Sequence, residues 1–223
     1  MTTSVPPGDP LVQGYAALDV SLVSDALDRL GIAGQCAGIR PLDRGFRLVG
    51  RAFTVRYVPV GLSRGTVGDY IDDLEPGQVP VLDNAARLDA TVWGDLLTVT
   101  AHQMGLPGTV IDGVCRDTSR SLEVGYSIFS RGYWMRTGKD RVQADAYQVP
   151  VSVGGVRIEP GDVLVGGADG LVAVPASRAA EVLDVAREIS ASEQRIRAAV
   201  LSGGRLDSAR TAAGYHDLQH HAG

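Results

Sequence analysis

Between Val20 and Gly31 the chain reads VSLVSDALDRLG, with apolar side chains at Leu22, Val23, Ala26, Leu27 and Leu30. That spacing lays one apolar stripe along a helix, with Ser21 or Asp19 as N-cap and Gly31 as terminator. RAFTVRYVPV, residues 51–60, alternates instead and is β-branched, which predicts a strand. A short helix over 66–74 and a brief strand, QVPVLDNA, ending in a polar Asp83-Asn84 turn, come next. From Ala90 to Met104 the period is helical again, with Gly94 near the start and Gly105 as the stop. GTVID, residues 108–112, is the following strand, with Asp112-Gly113 as its turn. RDTSRSLEVG is then a helix ending at Gly125, and YSIFSRG returns as a strand. This alternation of β and α predicts a mostly parallel sheet covered on both faces.

Between Tyr147 and Pro175 the pattern changes to short strands separated by Gly-Gly, Pro-Gly-Asp and Ala-Asp-Gly turns, the mark of antiparallel structure. A long helix is predicted over 177–202, capped by Ser177, with Val182, Leu183, Val185, Ala186, Ile189 and Ile196 on its apolar face. There is no internal repeat and no linker. One mixed α/β domain over 15–205 is expected, between a flexible arm at 1–14 and a polar tail at 206–223.

Composition narrows the function classes. The 223 residues carry a formal net charge of -5, which argues against a nucleic-acid partner, because that needs clustered cations. No stretch reaches the roughly 18 apolar residues of a membrane span, and the N-terminus lacks the basic and apolar regions of a signal peptide, so no membrane partner and a cytoplasmic location are expected. Cys36 and Cys115 show neither disulfide nor zinc spacing. Lys139 is the one lysine, so lysine chemistry has a single candidate.

Two features flank the GTVID strand: Trp93-Gly94-Asp95-Leu96-Leu97 at a helix start, and Arg116-Asp117 just past the strand. In parallel α/β architecture ligands gather at the carboxyl ends of strands, beside helix N-termini that attract anions. Gly94 lets a ligand approach the backbone closely, and Arg116 offers a bidentate grip on a carboxylate. Adjacent residues diverge in strand or helix, so Arg116 and Asp117 are expected to face separate partners rather than each other. Asp95 and Asp117 are hard oxygen ligands suited to a magnesium-like ion. The competing reading is an Arg/Asp pair that merely caps helices and bridges loops.

WGDLLTVTAHQMGLPGTVIDGVCRD resembles the signature of the 4-hydroxy-4-methyl-2-oxoglutarate / 4-carboxy-4-hydroxy-2-oxoadipate aldolases, the RraA-like family. The resemblance extends to GRAFTV near residue 50, SIFSRG at 127 and VPVSVGGVRIEPGDVLVGGADGLVAVP, and so spans roughly 15–205. It implies a swivelling β/β/α-type α/β fold assembled as a homotrimer or a dimer of trimers, with the site between subunits. Gly94, Asp95, Leu96 and Leu97 would donate to a 2-keto acid, Arg116 would hold it, and Asp117 would bind Mg²⁺ or Mn²⁺. Asp95 would reach the metal through water, and Glu193, with Glu188 as the alternative, would do so from the adjacent subunit.

The implied reaction is metal-dependent cleavage of a 4-hydroxy-2-oxo acid to pyruvate and a second keto acid, with Arg116, Asp95 and Glu193 in catalytic roles and oxaloacetate decarboxylation as a side activity. The alternatives are a non-catalytic RraA-type regulator of ribonuclease activity and a biosynthetic enzyme that reuses the metal and keto-acid site. A Schiff-base route is set aside because Lys139 lies outside the matched motif. His102 is read as a packing or surface residue, Cys115 as a small buried side chain, Trp93 as an anchor behind the Gly94 turn, and His216, His220 and His221 as part of the loose tail.

Overall fold

Leu48–Pro59 (β2) is buried along most of its length, so it sits in the middle of a sheet instead of alternating between core and water. The computed structural model describes residues 8–62 and 65–214. Helices α1 (Pro10–Ala16) and α2 (Val20–Arg29) come first, followed by the two-residue strand β1 (Arg40–Pro41) and then β2. A 3₁₀ helix at Asp69–Asp73 leads into β3 (Gln78–Thr91), α3 (Asp95–Gln103), β4 (Thr109–Cys115), α4 (Thr118–Val124), β5 (Ile128–Tyr133) and β6 (Val142–Tyr147). The hairpin β7 (Val151–Val153) and β8 (Val156–Ile158), the strands β9 (Val163–Gly167) and β10 (Gly170–Val174), and helices α5 (Ala179–Leu201) and α6 (Leu206–Ala212) complete the chain.

The sheet order is β1-β5-β4-β3-β2-β9-β10, with β6 also paired to β2. Strands β2 to β5 run parallel in sequence order, as the alternating pattern predicts. The free edge of β2 is shared: β9 pairs with Leu48–Arg51 and β6 with Val55–Pro59, both antiparallel. One face carries Trp93, Ile111, Tyr126 and Ile128 in a core under α3 and the 3₁₀ helix. The other carries Val81, Val110, Phe129 and Leu164 under the β7-β8 hairpin, whose turn uses Gly154 and Gly155 at positive φ. Helices α1, α2 and α5 enclose a third apolar cluster against β9 and β10. The result is the expected single mixed α/β domain with a long C-terminal helix. Among the described residues no helix is long and apolar enough to cross a membrane.

Several boundaries differ from the sequence reading. The arm expected over 1–14 is helical from Pro10. Asp9 Oδ1 accepts from Leu11 N at 2.9 Å and Val12 N at 3.3 Å, with proline at the first helical position. Tyr15 is fully buried and its hydroxyl donates to Ala179 O at 2.7 Å. The tail expected from 206 begins with α6, which Ser192 Oγ meets by donating to Ala213 O at 3.2 Å. His216, His220 and His221 lie outside the described residues. Ser177 falls in a 3₁₀ turn, and α5 starts two residues later without a side-chain cap.

The largest difference is at β3. The strand does not end at Asp83-Asn84, and α3 does not begin at Ala90. Buried Asn84 donates from Nδ2 to Ala90 O at 3.1 Å, Ala85 and Ala86 stand at φ 51° and 56°, and the strand continues to Thr91 through two register shifts, with Arg87 between them still paired to Gly113. Asp112 likewise lies inside β4. Its buried carboxylate accepts from Arg131 Nε and from Gly154 N at 3.0 Å, fastening the hairpin to the sheet.

Candidate active site

Every residue of β4 is buried, so the strand delivers whatever follows it from a fixed base. Arg116 N donates to Trp93 O at 2.9 Å, which ties the end of β4 to the residue before the Gly94 turn. Trp93 stacks on Tyr126 with ring centroids 6.1 Å apart and an interplanar angle of 3°. Its Nε1 donates to Thr98 Oγ1 at 2.9 Å, and Thr98 Oγ1 donates to Gly94 O at 3.0 Å. The turn is thus held from behind, as expected of Trp93 as an anchor.

Asp117 occupies the position before α4 in a left-handed conformation, φ 55° and ψ 38°. That is costly for a residue with a Cβ, and its consequence corrects the sequence reading: the two adjacent side chains converge. Asp117 Oδ2 lies 3.3 Å from Arg116 Nε and accepts from Asp95 N at 3.2 Å. Both side chains remain about two-fifths exposed, 39% and 40%, so the pair is formed at a surface that a ligand can reach. A Cβ on Gly94 would stand 2.8 Å from Asp117 Oδ2 and 3.2 Å from Arg116 Nε, so any other residue there would displace both groups. Of the four backbone donors expected at Gly94 to Leu97, two already meet carboxylates, because Asp95 Oδ1 also accepts from Leu96 N at 2.9 Å. The positive end of α3 therefore holds acid even without a ligand.

Trp93 to Leu97 and Arg116 line a cavity of about 650 Å³ at the carboxyl ends of β3 and β4, and Asp117 stands directly behind Arg116 and Asp95. Sequence reasoning missed four of the cavity's charged residues: Asp69 and Asp72 on the 3₁₀ helix, and Lys139 and Asp140 on the loop between β5 and β6. A signal for the last two was present in Gly138, whose Cβ would stand 2.2 Å from Thr91 O. Among the described residues, four acids (Asp69, Asp72, Asp95, Asp140) and two bases (Arg116, Lys139) line the cavity. A divalent cation suits that set of carboxylates.

The donor set is hard oxygen. Among the described residues no three His, Cys, Asp or Glu side chains cluster as a metal cage. Asp117 and Asp95 offer carboxylate oxygens of the kind a magnesium-like ion takes beside water or ligand oxygens.

Glu193 is not brought to this cavity within one chain. It lines a separate groove with Ile196, Arg197 and Leu206 at the end of α5, and Glu188 is engaged with Arg29 Nη1 at 2.8 Å. His102 is exposed near the end of α3 and borders a third cavity. Burial pushes the Cys115 thiol up to about 11, which suits a packing residue and not a nucleophile.

The chain is 39% identical over 203 residues to Protein DlpA of Legionella pneumophila, covering 90% of itself but 33% of that longer protein. It is 32% identical over 180 residues to a protein of Halalkalibacterium halodurans named "Putative 4-hydroxy-4-methyl-2-oxoglutarate aldolase", covering 81% of itself and 83% of that relative. Among solved structures, an uncharacterized protein from Pseudomonas syringae pv. tomato superposes with a TM-score of 0.85 at 43% identity, over 93% of this chain and all of that one. Streptomyces coelicolor RraAS2, described as an unusual member of the RNase ES inhibitor RraA protein family, superposes with a TM-score of 0.78 at 30% identity, over 84% of this chain and 96% of that one. Residues 20–173 match the family model RraA-like, described as Aldolase/RraA, and the chain belongs to that family.

Proposed function

We propose that the protein is a divalent-metal-dependent carbon–carbon lyase that cleaves a 4-hydroxy-2-oxo acid, such as 4-hydroxy-4-methyl-2-oxoglutarate or 4-carboxy-4-hydroxy-2-oxoadipate, to pyruvate and a second keto acid. The observation that carries this reading is that Arg116 and the start of α3 line one cavity, with Asp117 held against both by Arg116 Nε and Asp95 N. Asp117 holds Mg²⁺ or Mn²⁺ with support from Asp95, and the bound cation supplies Lewis acidity at the carboxylate and keto oxygens of the substrate.

The chain's own groups do the rest. Arg116 and the amides of the Gly94–Leu97 turn fix the 2-oxo carboxylate, which also requires Asp95 N and Leu96 N to exchange their present carboxylate partners for the substrate. As the C3–C4 bond breaks, its electron pair passes to the enolate, and Arg116 faces that developing charge. Asp95 takes part in removing the C4 hydroxyl proton that leaves the second keto acid as a carbonyl. A proton delivered to C3 then gives pyruvate. Glu193 joins this proton transfer from a neighbouring copy in a trimer or a dimer of trimers, in keeping with its distance from the site in a single chain. Oxaloacetate decarboxylation requires the same enolate and is the expected side activity.

The intact Arg116, Asp117 and Gly94 arrangement favours this enzyme over the regulatory role named for the Streptomyces relative. Purified protein incubated with Mg²⁺ and either oxaloacetate or 4-hydroxy-4-methyl-2-oxoglutarate is expected to release pyruvate, followed by coupled lactate dehydrogenase. Folded protein that releases none from either substrate overturns the reading.

A further inference from the structure

Lys139 lines the same cavity as Gly94, Asp95 and Arg116, yet reaches it from the loop between β5 and β6. Its backbone is well tied: the amide donates to Thr137 Oγ1 at 3.2 Å, and its carbonyl accepts from Arg141 Nη1 at 3.2 Å. The loop itself is clamped to the end of β3, where Thr91 N donates to Arg136 O at 3.0 Å and Gly138 lies flat against Thr91 O. The side chain is exposed, and among the described residues its ammonium makes no ion pair. Arg116, by contrast, is already matched with Asp117. Among the described residues the cavity therefore holds two cations on separate elements, one paired with Asp117 and one without an ion pair.

Asp69, Asp72 and Asp140 line the same cavity as Lys139. A second carboxylate on a substrate would be repelled there unless a cation received it. We propose that Lys139 binds the distal carboxylate of a 2-oxo dicarboxylic acid whose 2-oxo end is held at Arg116 and the Gly94–Leu97 turn, and so selects dianionic over monoanionic substrates. This rests on the keto-acid reading above and adds to it the group that reads the far end of the substrate. A lysine makes a flexible point contact with three donors, which suits a carboxylate at the end of chains that differ in branching at C4.

The test compares Mg²⁺-loaded wild-type protein with Lys139→Met and Lys139→Arg by calorimetric titration with pyruvate and with 2-oxoglutarate, an unreactive acid that carries the distal carboxylate. Lys139→Met is expected to weaken 2-oxoglutarate about tenfold or more, the loss of one charge-assisted hydrogen bond, while pyruvate changes less than about twofold. Lys139→Arg restores most of the difference, and turnover of a dicarboxylic substrate falls through KM more than kcat. Equal weakening of both ligands, or no change for 2-oxoglutarate, overturns the assignment. So does a pyruvate adduct on Lys139 after borohydride reduction, since the amine would then be attacking the keto carbon. A wild-type protein that binds neither ligand overturns the keto-acid reading together with this one. A wild-type protein that makes pyruvate, with a Lys139→Met variant that does not discriminate, overturns the role of Lys139 alone.

Discussion

Two cavities of nearly equal size lie at the two ends of α3, about 650 Å³ at its start and about 620 Å³ at its finish, and they differ in almost everything but volume. The first faces the positive end of the helix, together with Arg116 and Asp117, which remain partly exposed. The second faces the carboxyl ends of α3 and α4, where His102, Leu106, Leu122 and Tyr126 meet. Its one guanidinium is already committed: Arg47 Nη1 pairs with Asp19 Oδ1 at 3.0 Å and Nη2 donates to Leu18 O at 2.7 Å. Helix ends that present carbonyls repel an anion, whereas the start of α3 attracts one. The comparison teaches that the direction of the helix and the availability of charge, not the room on offer, mark which cavity suits an anion.

The sharpest way to break the comparison is to remove the acid that stands beside Arg116 at the start of α3. Asp117→Asn keeps the shape of the side chain but weakens it as a cation ligand, and kcat/KM for pyruvate release is expected to fall by about a thousandfold or more. Chelation should abolish wild-type activity without unfolding the chain. Full activity of Asp117→Asn in the presence of a chelator would remove the metal from the account. Gly94→Ala is expected to act more mildly. The added methyl would press on Asp117 Oδ2 and Arg116 Nε, which are ends of side chains and can shift, so the fold survives. A displacement on that scale costs about tenfold to a hundredfold in kcat/KM, read in the same assay, with Mg²⁺ affinity weakened in parallel.

The residues around the first cavity were partly legible in the sequence because they are compact. Gly94–Leu97 and Arg116-Asp117 flank one buried strand, and strand ends beside helix starts are where ligands gather in parallel sheets. α2, β2 and α5 were legible for a similar reason, since an apolar period repeats along each. What escaped was set by single residues acting at a distance. The bulged end of β3 is spanned by buried Asn84, and a strand whose register shifts twice has no periodic signature. The contact between Arg116 and Asp117 depends on one left-handed residue that is not glycine. Lys139 and Asp69 reach the cavity through the packing of two connections far apart in the chain, which no local pattern records. Helix α1 was hidden because Asp9 and Pro10, its cap and first residue, end a stretch whose prolines read as a frayed arm.

The smallest expected effect concerns the second cavity, and it decides whether α3 merely separates the two spaces or couples them. His102 is exposed in the last turn of α3, where its loss removes little buried surface. His102→Ala should change stability by no more than about 0.5 kcal/mol, measured by urea denaturation, and leave kcat/KM within about twofold of wild type. Between the two ends stands the Trp93–Thr98–Gly94 chain of hydrogen bonds, which fixes the first turn of the helix independently of its last. If that fixation is sufficient, truncation at the far end has no path to Arg116 or Asp117. A loss of fivefold or more in His102→Ala would mean that α3 moves as one body and that the second cavity acts on the first through the helix.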